Sequence, residues 1–320
     1  MTTLTAETLA AAYEAAHKQA ILVDRGDLGL LKFSGATRLD LLHRMSTQAV
    51  KGLGDGEGAA TILTSDIGRM IDRLILYAGS DDVYALTGEE NAPNIARYLL
   101  RFVFFNDDFR LQDLTAEKAI WGIYGKAAGA RLAALWPEAV DLPPHHWRRV
   151  TLADLAVTLH RTDPVAGDGY FLMCPRGAKE AVAAMLQEGG IVPASAAAYD
   201  YLRIESGLPR LRHEITLDYI PLEANLWADV SFKKGCYTGQ EIIARLESRG
   251  RLAKKLFRLR LAGVVNAGTE LTLNDRAVGT ITSAADGPRG PLALGYLKTG
   301  ILDTDLSALT ANDIPVSVEK

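Results

Sequence analysis

At 320 residues the chain is long enough for two or three domains, and its 48% apolar and 23% charged content is ordinary for a globular protein. The net charge of −4 argues against nucleic acid as a partner. No apolar run is long enough to cross a bilayer, and Met1–Thr5 does not begin a basic-then-apolar leader, so no membrane partner and a cytoplasmic or organelle-matrix location are expected.

In chain order, an alanine-rich helix is predicted over 5–18. Two short strands follow, 20–24 and 28–33, joined by a hairpin-like turn at Arg25-Gly26-Asp27. Ser34 is the expected N-cap of a helix over 35–47, with Leu39, Leu42 and Met45 at helical spacing. Strands near 59–64, 69–78 and 82–87, a helix over 91–101 and a strand near 108–114 complete a first α/β unit. A second unit reads as strand 119–124, helix 126–136, a proline-rich loop to about 147, strands 152–161 and 169–174, and helices 176–188 and 195–206. Hairpins mixed with helices favour an α+β architecture over a doubly wound one. From Leu252 onward short β runs alternate with turns such as Asn266-Ala267-Gly268, predicting a small all-β domain. The expected boundaries are 1–117, 118–250 and 251–320.

Chemistry is concentrated in few places. The glycine run Gly52–Gly58 lacks both phosphate-loop spacings and carries Asp55 and Glu57, so it reads as a turn. Cys174 and Cys236 are too few for a disulfide framework or a self-contained iron–sulfur site, and neither has a zinc-spaced partner. His145-His146 reads as part of a surface turn, and no metal site is expected. The most informative segment is Lys234-Gly235-Cys236-Tyr237-Thr238-Gly239-Gln240-Glu241. Thr238 and Glu241 have capping-box spacing, predicting a helix over 239–249 that stops at Gly250. Cys236 then precedes a helix start, where the helix dipole, Lys233 and Lys234 favour thiolate. The alternative is a small apolar filler. Residues 232–260 hold nine basic residues, among them Arg251, against Glu241 and Glu247. That excess suits either a solvated face or an anionic ligand.

The octapeptide resembles the signature of the YgfZ-type folate-binding proteins, relatives of the T-protein (aminomethyltransferase) of the glycine cleavage system. Leu22-Val23-Asp24-Arg25-Gly26, Leu63–Arg69, Arg203–Pro209, Ile220–Glu223, Ala277–Ser283 and Leu292–Tyr296 are similar to further blocks of that superfamily. The resemblance implies two ferredoxin-like modules and a C-terminal β-barrel in a three-domain ring, with folate in the central channel and interlaced segments between the first two modules. It also implies tetrahydrofolate or another reduced folate as cofactor, and a role in assembling or repairing iron–sulfur clusters in client proteins. Cys236 is then the reactive group, and a monomer is expected. Candidate folate contacts are Lys234, Gly235, Tyr237, Gly239, Gln240, Arg203 and Glu205, with the basic segment near the ligand tail.

Two departures from the T-protein pattern matter. The T-protein segment Gly-x-x-x-Asp-Asp-Leu reads Gly68-Arg69-Met70-Ile71-Asp72-Arg73-Leu74 here, so Arg73 stands where the resemblance puts the catalytic aspartate. Asp72 remains a weak catalytic candidate, because strand neighbours face opposite ways unless a bulge intervenes. A strand-edge or cross-strand ion pair is its alternative. Phe171 replaces a pterin-binding glutamate in Gly167-Asp168-Gly169-Tyr170-Phe171-Leu172. A tetrahydrofolate-dependent aminomethyl or methyl transferase is therefore the second functional class, and a folate-free scaffold the third.

Overall fold

The computed structural model describes residues 6–137, 141–250 and 252–319. Thr5, the expected first residue of the N-terminal helix, and Arg251 lie outside the described residues. Three β-structures carry the fold: a six-stranded sheet, a five-stranded sheet and a closed six-stranded barrel.

Helix α1 (Ala6–Lys18) leads into β1 (Ile21–Asp24) and β2 (Leu28–Ser34). These two strands do not form the expected hairpin. β1 joins the six-stranded sheet, between β7 (Lys118–Gly125) and the short parallel strand β11 (Val192–Ala194). β2 joins the five-stranded sheet. The buried side chain of Arg25 marks the crossing; its guanidinium donates to Asp27 and to the Tyr124 hydroxyl. The apolar residues of β1 are buried on both faces, which a two-stranded hairpin cannot achieve. A division at 117/118 thus separates β1 from its own sheet.

The five-stranded sheet has the order β3-β4-β5-β2-β6, with β3 Gly58–Thr64, β4 Met70–Ala78, β5 Asp82–Glu89 and β6 Arg110–Asp113. Helices α2 (Arg38–Met45) and α3 (Ala92–Leu100) pack on it. Ser34 is not the N-cap of α2: β2 runs through it, and the cap position is Thr37. Gly35 lies between them at φ 99°, where a Cβ would strike the Asp108 carbonyl.

The six-stranded sheet, β11-β1-β7-β10-β9-β8, includes a strand the sequence pattern hid. The stretch expected as one strand over 152–161 is a hairpin of β8 (Trp147–Leu152) and β9 (Leu155–Arg161), turning at Ala153 with φ 51°. Arg148 and Arg149 broke the apolar alternation that would have shown β8. β10 (Asp168–Pro175), α4 (Ala128–Leu135) and α5 (Lys179–Glu188) complete this layer.

Helix α6 (Ala196–Glu205), capped by the Ser195 hydroxyl on the Ala198 N–H, leads through an irregular segment to α7 (Gln240–Arg249). The barrel then closes, in spatial order, as β12 (Lys254–Leu261), β15 (Leu292–Lys298), β14 (Arg276–Ala285), β13 (Glu270–Leu273), β16 (Leu309–Ala311) and β17 (Ile314–Glu319). Arg203 on α6 fastens it: Nη2 donates to Ser283 Oγ at 2.6 Å and Nη1 to Glu214 at 2.8 Å, while Ser283 and Thr282 donate back to Glu214. Buried charge is tolerated here because every member of the network is paired.

Candidate functional site

The pairing of β4 with β5 ends at Ile75 and Leu86. Beyond that point β4 and β5 no longer pair with each other, and Asp72, Arg73, Gly88 and Glu89 line a cavity. Tyr124 and Phe171 of the other sheet and Asp163 of the segment after Arg161 form the facing wall, with Tyr199, Arg203 and Arg210 alongside. Tyr124 meets Phe171 edge-on at 6.3 Å and Tyr199 at 5.1 Å. The free volume is about 90 Å³, less than the roughly 150 Å³ that holds a benzene ring.

Arg73 does not point into free space. Its Nε donates to Asp229 at 2.6 Å, and Nη1 and Nη2 donate to Asp163 at 2.6 and 3.0 Å. One guanidinium thus ties the five-stranded sheet, the segment after β9 and the short 3₁₀ turn Trp227–Asp229. Burial pushes the Asp163 carboxyl up, but the Arg73 charge and hydrogen bonds outweigh it, so the carboxyl ends below its ordinary range. The bidentate geometry suits arginine and no other side chain.

Asp72 is not on an edge strand, and among the described residues it is in no ion pair. It follows a bulge: Leu63 pairs with Asp72 and Thr64 with Met70, leaving Ile71 unpaired. The carboxyl, 1% exposed, accepts from the Arg73 and Gly88 backbone N–H groups and from Asn91 Nδ2 at 2.8 Å. Asn91 holds the N-cap position of α3 yet caps nothing with its side chain. Burial pushes Asp72 up to about 7, against the pull of those donors.

Other candidates are committed elsewhere. Glu205 accepts from Tyr13 at 2.8 Å and pairs with His17 at 2.9 Å. Arg203 borders the cavity, but its guanidinium is occupied by Asp200, Glu214 and Ser283. Among the described residues, none of 233–260 lines this cavity. The arginines that do are Arg25, Arg73, Arg203 and Arg210.

The cysteine loop is a separate, firmly anchored structure. Lys234 Nζ donates to the carbonyls of His43, Ser46 and Gln48 at 2.5, 2.6 and 3.0 Å, which uses all three ammonium protons. Burial pushes it down to about 8, so it still carries charge at neutral pH. The Tyr237 ring lies under that ammonium, buried with Ile220, Leu222, Val230 and Ile243. The expected capping box does not form. Gly239 at φ 80° is the N-cap of α7, without a side-chain cap, and the Thr238 carbonyl accepts from Thr64. A Cβ at Gly239 would collide with the Ser65 carbonyl, so close packing of the two turns requires glycine there. Gly235 faces open space, and Gln240 opens α7. Between these anchors Cys236 is a free, exposed thiol. It is not among the residues lining the cavity.

Comparison with known proteins agrees with this architecture. The family model described as the GCVT N-terminal domain matches residues 2–234. The chain belongs to this family. A chloroplastic protein of Arabidopsis thaliana, named "Putative transferase At1g60990", is 27% identical over 87% of the chain, which spans 65% of that relative. An aminomethyltransferase of Halalkalibacterium halodurans is 28% identical over 86% of the chain and 77% of the relative. The crystal structure of glycine cleavage system aminomethyltransferase T from Bartonella henselae superimposes with a TM-score of 0.83 at 22% identity, covering 98% of this chain and 88% of that one. The α+β fold with its terminal barrel is therefore the T-protein fold.

Within this GCVT-family chain, sequence reasoning missed Asp163, Asp229, Tyr199 and Arg210. Asp163 and Arg210 lie outside helices and strands, Asp229 ends a short 3₁₀ turn and Tyr199 is on α6; only the three-dimensional path brings Asp163, Tyr199 and Arg210 to the cavity and Asp229 to Arg73. His145, expected in an exposed turn, is half-buried with φ 62° and an unpartnered Nδ1. Burial lowers its proton affinity, while Asp163 and Asp229 are near enough to oppose that.

Proposed function

We propose that the chain is a YgfZ-type protein: it binds a reduced folate in the central cavity and acts on iron–sulfur client proteins through Cys236. The observation that carries this is the separation of the two sites. The thiol is exposed on a loop held rigid by Lys234 and Gly239, outside the cavity lining, so its chemistry is with a partner that comes to the surface. Trp227 and Phe232, rings 6.2 Å apart and 41% and 40% exposed, lie in the approach to that loop and offer apolar contact.

The cavity suits a reduced pterin in kind. Tyr124, Phe171 and Tyr199 supply ring faces, Asp72 supplies a carboxyl that holds a proton near neutral pH, and Arg210, 36% exposed, would have to exchange its pairing with Glu89 and Asp200 to meet a carboxylate tail. Its free volume requires half-buried Tyr199 to swing aside as the ligand enters. When bound, a reduced folate supplies a one-carbon acceptor amine. Arg73, locked between Asp163 and Asp229, cannot take the role of the T-protein aspartate.

Calorimetric titration with tetrahydrofolate is expected to show one site, weakened about tenfold in Tyr199→Ala by loss of ring stacking. Absence of heat with any reduced folate would leave the scaffold class standing. Asp72 favours one second reading, a folate-dependent aminomethyl or methyl transferase, since a buried carboxyl titrating near 7 suits general acid–base work. Formation of methylene-tetrahydrofolate from an aminomethylated carrier protein would support that class over the first.

A further inference from the structure

The two sheets enclose a second cleft that shares no lining residue with the central cavity. Its free volume is about 190 Å³. Leu30 and Tyr84 of the five-stranded sheet form one wall, and Trp147, His160 and Met173 of the six-stranded sheet form the other. Strand register places Trp147 opposite His160 and Arg149 opposite Thr158, so all four share the inner face.

Three features of the cleft point to one kind of ligand. First, its ionisable lining is one-sided. Lys118 and Arg149 stand at its rim, no aspartate or glutamate lines it, and among the described residues neither cation is in an ion pair. In a chain of net charge −4 that is an anion-selecting mouth. Second, His160 is 2% exposed. Its Nε2 lies 2.9 Å from the Thr158 hydroxyl, while Nδ1 is buried with no partner. Exchanging the two ring nitrogens still leaves one unanswered, and burial keeps the imidazole neutral. Third, the size fits one substituted aromatic ring, since an apolar cavity of roughly 150 Å³ holds benzene. Trp147 and Arg149 are two residues apart on β8, roughly 6–7 Å along a strand, which matches the length of a para-disubstituted ring.

We propose that this cleft binds a small aromatic carboxylate. Its ring packs against Trp147 and Tyr84, its carboxylate is held at the mouth by Lys118 and Arg149, and a para hydroxyl or amino group bonds His160 Nδ1.

Calorimetry of the full chain with 4-hydroxybenzoate tests this. One site is expected, with binding about tenfold weaker for benzoate, for the methyl ester, and for the protein carrying Lys118→Ala and Arg149→Ala together. Both substituted residues are at the rim, so folding is retained and can be checked by thermal melting. No binding, equal affinity for the ester, or undiminished binding by the double variant would overturn the assignment. So would loss of binding in Arg210→Ala with the rim variants normal, which would place the acid in the central cavity.

Discussion

Replacing Arg73 with aspartate, the residue that the resemblance to T-proteins would put there, is expected to lower the unfolding free energy by about 3–5 kcal/mol and to create no aminomethyltransferase. The wild-type guanidinium bridges Asp163 and Asp229 through three hydrogen bonds of 2.6–3.0 Å. Aspartate there removes the cation bonded to both and adds a third carboxylate beside them. Asp163 keeps some solvent contact, at 22% side-chain exposure, which favours the lower end of the range. Urea denaturation of wild type, Arg73→Ala and Arg73→Asp measures it, with aspartate the more damaging. Equal stability of wild type and Arg73→Asp would show that the clamp contributes nothing.

A pH dependence centred on Asp72 is the second large effect. Its folded pKa is raised from the ordinary carboxyl value to about 7 by burial. Between pH 4 and 7 the folded state therefore keeps a proton that the unfolded state releases, and stability falls as pH rises. The contribution is fully present below about pH 4 and is lost by pH 7, a change on the order of 4 kcal/mol at 1.36 kcal/mol per unit. Asp72→Asn cannot ionise, so the difference in unfolding free energy between wild type and variant should run downhill across that window. Parallel profiles would mean that Asp72 is ionised in the folded protein throughout.

The parts of this molecule legible in sequence were those set by local pattern. The Leu39, Leu42 and Met45 spacing marked α2, the turns after Leu252 marked the barrel, and the octapeptide marked the cysteine loop. Long-range partnerships were not legible. Nothing in Ile21–Asp24 says that its strand pairs with residues a hundred and more positions away, because a continuous apolar run suits either sheet. The bulge at Ile71 depends on how β3 and β4 are offset, which turns a strand neighbour of Arg73 into a cavity carboxyl. Lys234 looked like charge available to a ligand, yet three carbonyls at the end of α2 claim it. Cap chemistry failed for a related reason: packing of Gly239 on the Ser65–Gly68 turn set the start of α7, overriding the Thr238–Glu241 spacing.

The most direct test of an outward-acting thiol on a folate-binding body is the Cys236→Ala protein, assayed in two ways. Its affinity for tetrahydrofolate should equal that of wild type, because Cys236 is absent from the cavity lining. Its ability to restore iron–sulfur enzyme activity in cells lacking their own family member should be lost. Full restoration by the alanine variant would contradict the account.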